Sequence, residues 1–158
     1  MNFDELELKT IPFDEFELKW RFTEEEYNVL PESHLAEIKP LNKDAGVALG
    51  NLFFDTGLMG QYKLNPEHFN SIIEFDLRSK SEEEGRKWLS SLKIDSDQTI
   101  FLYWDSWGSA TTNWMIFKTY YDDFFYPGSD DLILTDKNFS WILYFFHEEF
   151  IYFGNKLQ

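Results

Sequence analysis

A chain of 158 residues that is 43% hydrophobic and 20% aromatic holds enough apolar surface for one core, which excludes a disordered acidic tail. Its 29 acidic residues against 14 Lys and Arg leave a formal charge of −15, which repels nucleic-acid phosphate and anionic membrane and complements a cationic protein. With no cysteine, disulfides, thiolate metal sites and Cys nucleophiles are all excluded.

The N-terminus, Met1-Asn2-Phe3-Asp4-Glu5, places acids where a secretory signal carries Lys or Arg, and no run of eighteen apolar residues occurs anywhere. The sequence therefore reads as a soluble cytoplasmic protein. Residues 3–9 (FDELELK) recur almost unchanged as 13–19 (FDEFELK). Two copies are too few for a solenoid, so they read as two similar short elements or a coincidence. Thr23 ahead of Glu24-Glu25-Glu26 has the capping-box spacing and predicts a helix start.

Pro31 opens a short helix over 32–38, ended by Pro40, and Asn42 caps another that runs to about residue 55, before Gly57. There Ala45, Ala48, Leu49, Leu52 and Phe53 share one face and read as core. Asn65-Pro66-Glu67 and Ser81-Glu82-Glu83-Glu84 look like two further helix starts, which makes residues 1–95 mainly helical. Residues 99–104 form a β-branched and aromatic run of strand length. A helix capped by Thr111 or Thr112 follows, with Trp114, Phe117, Tyr121 and Phe124 at helical spacing and Pro127-Gly128 as its stop. Residues 132–135, 140–146 and 150–153 then read as an antiparallel meander, because their connections are so short. The expected architecture is α+β: one domain over 1–158, with short helices against one face of a small antiparallel sheet and a strand-helix-meander part over 96–158.

The chemistry-bearing residues concentrate in that second part. Residues 101–153 hold nineteen aromatic residues, and Lys118 and Lys137 face Asp105, Asp122, Asp123, Asp130, Asp131, Asp136, Glu148 and Glu149. Such a surface suits gripping a basic macromolecule better than catalysis. Asp122-Asp123 at the expected end of a helix oppose its dipole, so something must offset them: an internal Lys or Arg, solvation, a basic partner or a cation. The aspartates around Pro127-Gly128-Ser129 lack EF-hand order, and His147-Glu148-Glu149 lacks the second His of a zincin helix, so no metal or other cofactor is expected. No Gly-x-Ser-x-Gly elbow, triad signature or phosphate-cradling loop is present. Asp105-Ser106-Trp107-Gly108-Ser109 has the mix of a strand-to-helix active-site loop, and equally of an ordinary turn. Trp114 and Trp141 read as core. Trp107 and Tyr126, set beside acids, read as interface anchors.

Two stretches resemble known families. Lys19-Trp20-Arg21-Phe22-Thr23 followed by His34-Leu35-Ala36-Glu37-Ile38-Lys39-Pro40-Leu41 resembles the opening of a family of uncharacterised bacterial proteins. Residues 122–131 (DDFFYPGSDD) and 141–154 (WILYFFHEEFIYFG) resemble the closing part of small acidic immunity proteins of bacterial polymorphic toxin systems. Residues 57–80 carry no such likeness. The resemblance implies a bacterial cytoplasmic protein that binds and neutralises a toxin, and it carries over no catalytic residue. A nuclease toxin must be basic to hold phosphate, so an acidic inhibitor would occlude its groove. The expected partner-binding residues are Asp105, Trp107, Asp122, Asp123, Tyr126, Asp130, Asp131, Glu148 and Glu149, with a basic protein as partner and neither nucleic acid nor membrane. Two other readings stay open: a metal-assisted hydrolase or small-ligand binder using Asp105, Asp122, Asp123 and His147, and a structural subunit of a larger bacterial assembly.

Overall fold

The computed structural model describes residues 2–158, so Met1, at the head of the acidic start, lies outside the described residues. In chain order it contains helix α1 (Phe3–Glu7), α2 (Trp20–Thr23), α3 (Glu32–Leu35), strand β1 (Lys39–Pro40), α4 (Lys43–Phe54), β2 (Phe69–Asp76) and α5 (Glu82–Ser91). There follow β3 (Thr99–Tyr103), β4 (Ser109–Asn113), α6 (Trp114–Thr119), α7 (Tyr121–Phe124), β5 (Leu132–Asp136), β6 (Trp141–Phe146) and β7 (Phe150–Lys156). All seven strands join one antiparallel sheet in the order β1-β4-β3-β5-β6-β7-β2. The α+β class and the C-terminal meander are as the sequence predicts, but the sheet is larger than the four strands legible there.

The helices do not gather on one face. Period-2 alternation sends Ile100, Leu102, Leu132, Leu134, Leu143 and Phe145 into a cluster with Leu89, Trp114, Phe117 and Phe124, from α5, α6 and α7. Phe101, Ile133, Ile142 and Tyr144 point the other way, into a cluster with Leu6 of α1 and Ala45, Leu49 and Phe53 of α4. The sheet is thus the middle of three layers, and covering on both sides explains why Trp-Ile-Leu-Tyr-Phe-Phe of β6 is buried at every position. Trp114 and Trp141 are both core, as their context predicts. The duplicated N-terminal segments part company here: Phe3 and Leu6 pack under α4, whereas Phe16 and Leu18 pack on the opposite face.

Capping chemistry sets several boundaries. Asn42 Oδ1 accepts from Ala45 N at 3.0 Å and starts α4, and Ser81 with Glu84 completes the capping box of α5. Thr23 does not start a helix; it ends α2, its hydroxyl donating back to the Lys19 carbonyl, and Glu24–Glu26 form an exposed turn. Asn65 does cap, through Glu67 N, but only a single 3-10 turn before the chain enters β2. Thr111 and Thr112 are not caps either. They are strand residues of β4, and Asn113 caps α6 instead by accepting from Ile116 N at 2.9 Å.

Candidate protein-binding site

The antiparallel order places three connections at the same end of the sheet: 104–108 between β3 and β4, 125–131 leading into β5, and 147–149 between β6 and β7. They are tied together, with Gly128 N donating to His147 O at 2.9 Å and His147 N donating to Asp131 Oδ1 at 2.9 Å. Asp105, Trp107, Tyr126, Asp130, Asp131, Glu148 and Glu149 all lie on these connections. Asp122 and Asp123 sit apart from them in α7, on the face covered by α5 and α6.

Proximity does not make every carboxylate available. Asp130 is 1% exposed and grips Arg21, with Oδ2 to Nη1 at 2.5 Å and Oδ1 to Nη2 at 2.9 Å, while also accepting from Tyr126 N. Arg21 further donates to the Phe124 carbonyl and lies 4.2 Å from the Tyr126 ring centre. The expectation that Asp130 meets a partner is therefore corrected, because its charge is spent inside the fold. Asp123 is likewise buried, accepting from Asn28 Nδ2 at 3.1 Å. Burial is the main cause that pushes its carboxyl from the usual 3.8 up to about 6; the Asn28 bond and Arg86 work the other way and the Asp122 charge adds to the rise. Asp122 pairs with Arg86 at 3.0 Å. The helix expected over this region breaks at Tyr120, so Asp122 and Asp123 occupy the first turn of α7 rather than the end of a long helix. Their dipole conflict disappears, and an internal cation answers Asp122.

Tyr126 is half-buried among Trp20, Tyr27 and Arg21. Trp107, by contrast, is 51% exposed. The segment carrying it is not a strand-to-helix loop but a hairpin, closed by Trp104 N donating to Gly108 O at 2.9 Å and using positive φ at Asp105 (54°) and Gly108 (126°). Asp105 is exposed and accepts from the Tyr103 hydroxyl at 3.2 Å, and burial pushes that phenol up to about 12. Tyr103 can lie there because Gly50 of α4 has no side chain: a Cβ at Gly50 would come within 2.6 Å of the Tyr103 oxygen. Asp131 is exposed and also bonds the His147 ring, Nδ1 to Oδ1 at 3.0 Å. Glu148 is exposed, and the half-buried Glu149 turns the hairpin with φ 67°.

Tyr103 and Asp105 stand between two recesses. One, of about 580 Å³, is walled by Glu15, Glu17, Lys43, Gly46, Trp107 and Ser109, and the Ser109 hydroxyl is buried with no hydrogen-bond partner. The other, of about 320 Å³, is walled by Phe54, Met59, Tyr62, Asp131 and Tyr144. Burial, then the nearby Asp131 charge, raises the Tyr144 phenol well above its usual value. Nothing local singles out Phe54 or Tyr62, and although Glu15 and Glu17 lie in the repeated segment 13–19 and Tyr144 in the stretch 141–154, only the fold brings them to Asp105. Among the described residues no group of three or more His, Asp or Glu is placed to hold a metal ion, and no helix is long and apolar enough to cross a membrane. Compared with protein-family models and with curated protein sequences, the chain matches none.

Proposed function

We propose that this protein is an acidic protein-binding module of the immunity type, which neutralises a basic bacterial toxin in the cytoplasm by covering its functional groove. The observation that carries this reading is the convergence of Asp105, Trp107, Asp131, Glu148 and Glu149, from three separate connections, on one end of a rigid sheet. The half-exposed Trp107 supplies an anchor and the carboxylates at the same end of the sheet a steering field, the two things an inhibitor of a cationic protein needs. The net charge of −15 extends that field over the whole molecule. Asp123 and Asp130 act behind the surface, holding the scaffold, while the partly exposed Asp122 is engaged by Arg86.

The hydrolase reading needs Asp105, Asp122, Asp123 and His147 in one place. His147 meets Asp131 near Asp105, whereas Asp122 and Asp123 engage Arg86 and Asn28 on the other side of the sheet. That leaves the binding reading as the better supported one.

The test is capture with the tagged chain as bait at low salt and at about 0.5 M, where the Debye length shrinks to roughly 4 Å. The expected result is one basic protein, held at low salt and shed at high salt, whose toxicity on expression is relieved by this chain. Asp105→Lys with Glu148→Lys should abolish both retention and relief. Recovery of nothing from cells that express the partner, or retention indifferent to the charge reversal, overturns the reading.

A further inference from the structure

The two recesses flanking Asp105 differ in what they can hold. In the larger one, Lys43 and the start of α4 set positive charge against Glu15, Glu17 and Asp105, so no single sign of ligand is favoured. The smaller recess has no such opposition, because neither Lys nor Arg lines it. Its wall carries four aromatic rings, from Phe54, Tyr62, Tyr103 and Tyr144, together with the carboxylates of Asp105 and Asp131. Tyr62 is 57% exposed and packs over the sheet end, 5.4 Å from Phe146 and 6.5 Å from His147 between ring centres. Tyr144, in the same wall, is buried.

Aromatic rings attract a cation through their quadrupole and shelter its alkyl stem, and a carboxylate beside them neutralises the charge. An anion here would face two carboxylates with neither Lys nor Arg in the wall to offset them. A neutral apolar group would bring no positive charge to the two carboxylates. At about 320 Å³ the recess is at the small end of ligand sites and suits one side-chain head rather than a peptide segment.

We propose that this recess receives the cationic head of a lysine or arginine presented by the basic partner, held among Tyr62, Tyr103 and Tyr144 and neutralised by Asp105 and Asp131. This deepens the binding reading by naming the chemistry that one subsite recognises. It also assigns work to Tyr62, which lies outside the aromatic-acidic third of the chain.

The experiment uses the whole chain labelled with ¹³C at its methionine methyls. Met59 lies in the recess wall, while Met115 sits on α6, on the opposite face of the sheet, and serves as the internal reference. The probes are Nα-acetyl-lysine methylamide and Nα-acetyl-arginine methylamide, each compared with its neutral counterpart, the Nε-acetylated lysine and the citrulline compound, at fixed ionic strength. A saturable shift of the Met59 methyl with the charged probes, absent with the neutral ones and absent at Met115, is the expected result. Tyr62→Leu and Asp105→Asn should each weaken it by about two- to five-fold; Asn tolerates the positive φ at 105 and keeps an acceptor for Tyr103. No saturable shift at Met59, or an equal shift with the neutral probes, overturns the proposal. Because no partner protein enters the measurement, its outcome is separate from the capture experiment: a partner caught while Met59 stays silent would retain the binding reading and discard this subsite.

Discussion

Asp130 and Asp131 are adjacent in the chain and opposite in use. Asp130 points to the face covered by α6 and α7, where it is sealed against Arg21 beneath Tyr126. Asp131 points to the α4 face, where it is exposed and lines the recess with Tyr62 and Tyr144. One step along a strand end reverses the side-chain direction, and it converts a carboxylate that holds the fold into one that can meet a ligand. The same contrast separates Asp123, buried against Asn28, from Asp105, exposed beside Tyr103. Negative charge in this protein therefore comes in two kinds, and counting acids does not distinguish them.

The sharpest way to break that distinction is Asp130→Ala. It leaves the Arg21 guanidinium buried and unpaired, and about 3 to 5 kcal/mol of stability should be lost in urea titration. Asp105→Asn, at one of the exposed kind, removes the charge while tolerating the positive φ and keeping an acceptor for Tyr103, and should stay within about 0.5 kcal/mol of the parent protein. Equal losses would erase the contrast. Gly50→Ala should fall between them, at about 1 to 3 kcal/mol, since the new methyl meets the Tyr103 ring. It should also displace Tyr103 from Asp105, which a Met59 methyl shift would register.

Asp123 sharpens the comparison through pH. Its carboxyl sits at about 6 in the folded protein against 3.8 ordinarily, so the folded state binds the proton more tightly. Stability from this group is thus fully present below about pH 4, declines as pH rises toward 6, and is level above that. Its neighbours Asn28, Asp122, Arg86 and Tyr126 do not reverse that sign. Asp123→Asn should flatten the slope of melting temperature between pH 4 and 6, and a slope unchanged by the substitution would refute the assignment. The smallest expected effect on stability belongs to Glu148→Gln, whose consequence should be confined to a slower association with a basic partner at low salt.

Local chemistry made part of this legible in advance. The caps at Asn42 and Ser81, the β-branched and aromatic run of 99–104 and the closely spaced C-terminal strands all act within a few residues, so the sequence reveals them. β2 was hidden because Asn65-Pro66 is a sound helix start that here lasts one 3-10 turn, and because the register shift after Phe69 blurs its alternation. β4 was hidden because Thr111 and Thr112 suit a cap as well as a strand; only β1 and β3 on either side decide. At the candidate site, Trp107 was recognisable as an aromatic among turn residues. Which aspartates are sealed was not, since Asp130 depends on an arginine 109 residues away and Asp123 on an asparagine 95 residues away.

The sheet order also governs how the chain can acquire its shape during synthesis. β2 pairs only with β7, so its 69–76 segment waits for residues 150–156 before it has any strand neighbour. Arg21, similarly, has no counter-charge until Asp130 emerges. These parts of the N-terminal half cannot settle stepwise behind the ribosome, because their partners lie about eighty to a hundred residues further along the chain. A nascent chain halted before the last strand would thus expose the unpaired 69–76 segment and the open edge of β6, the kind of surface that invites mispairing.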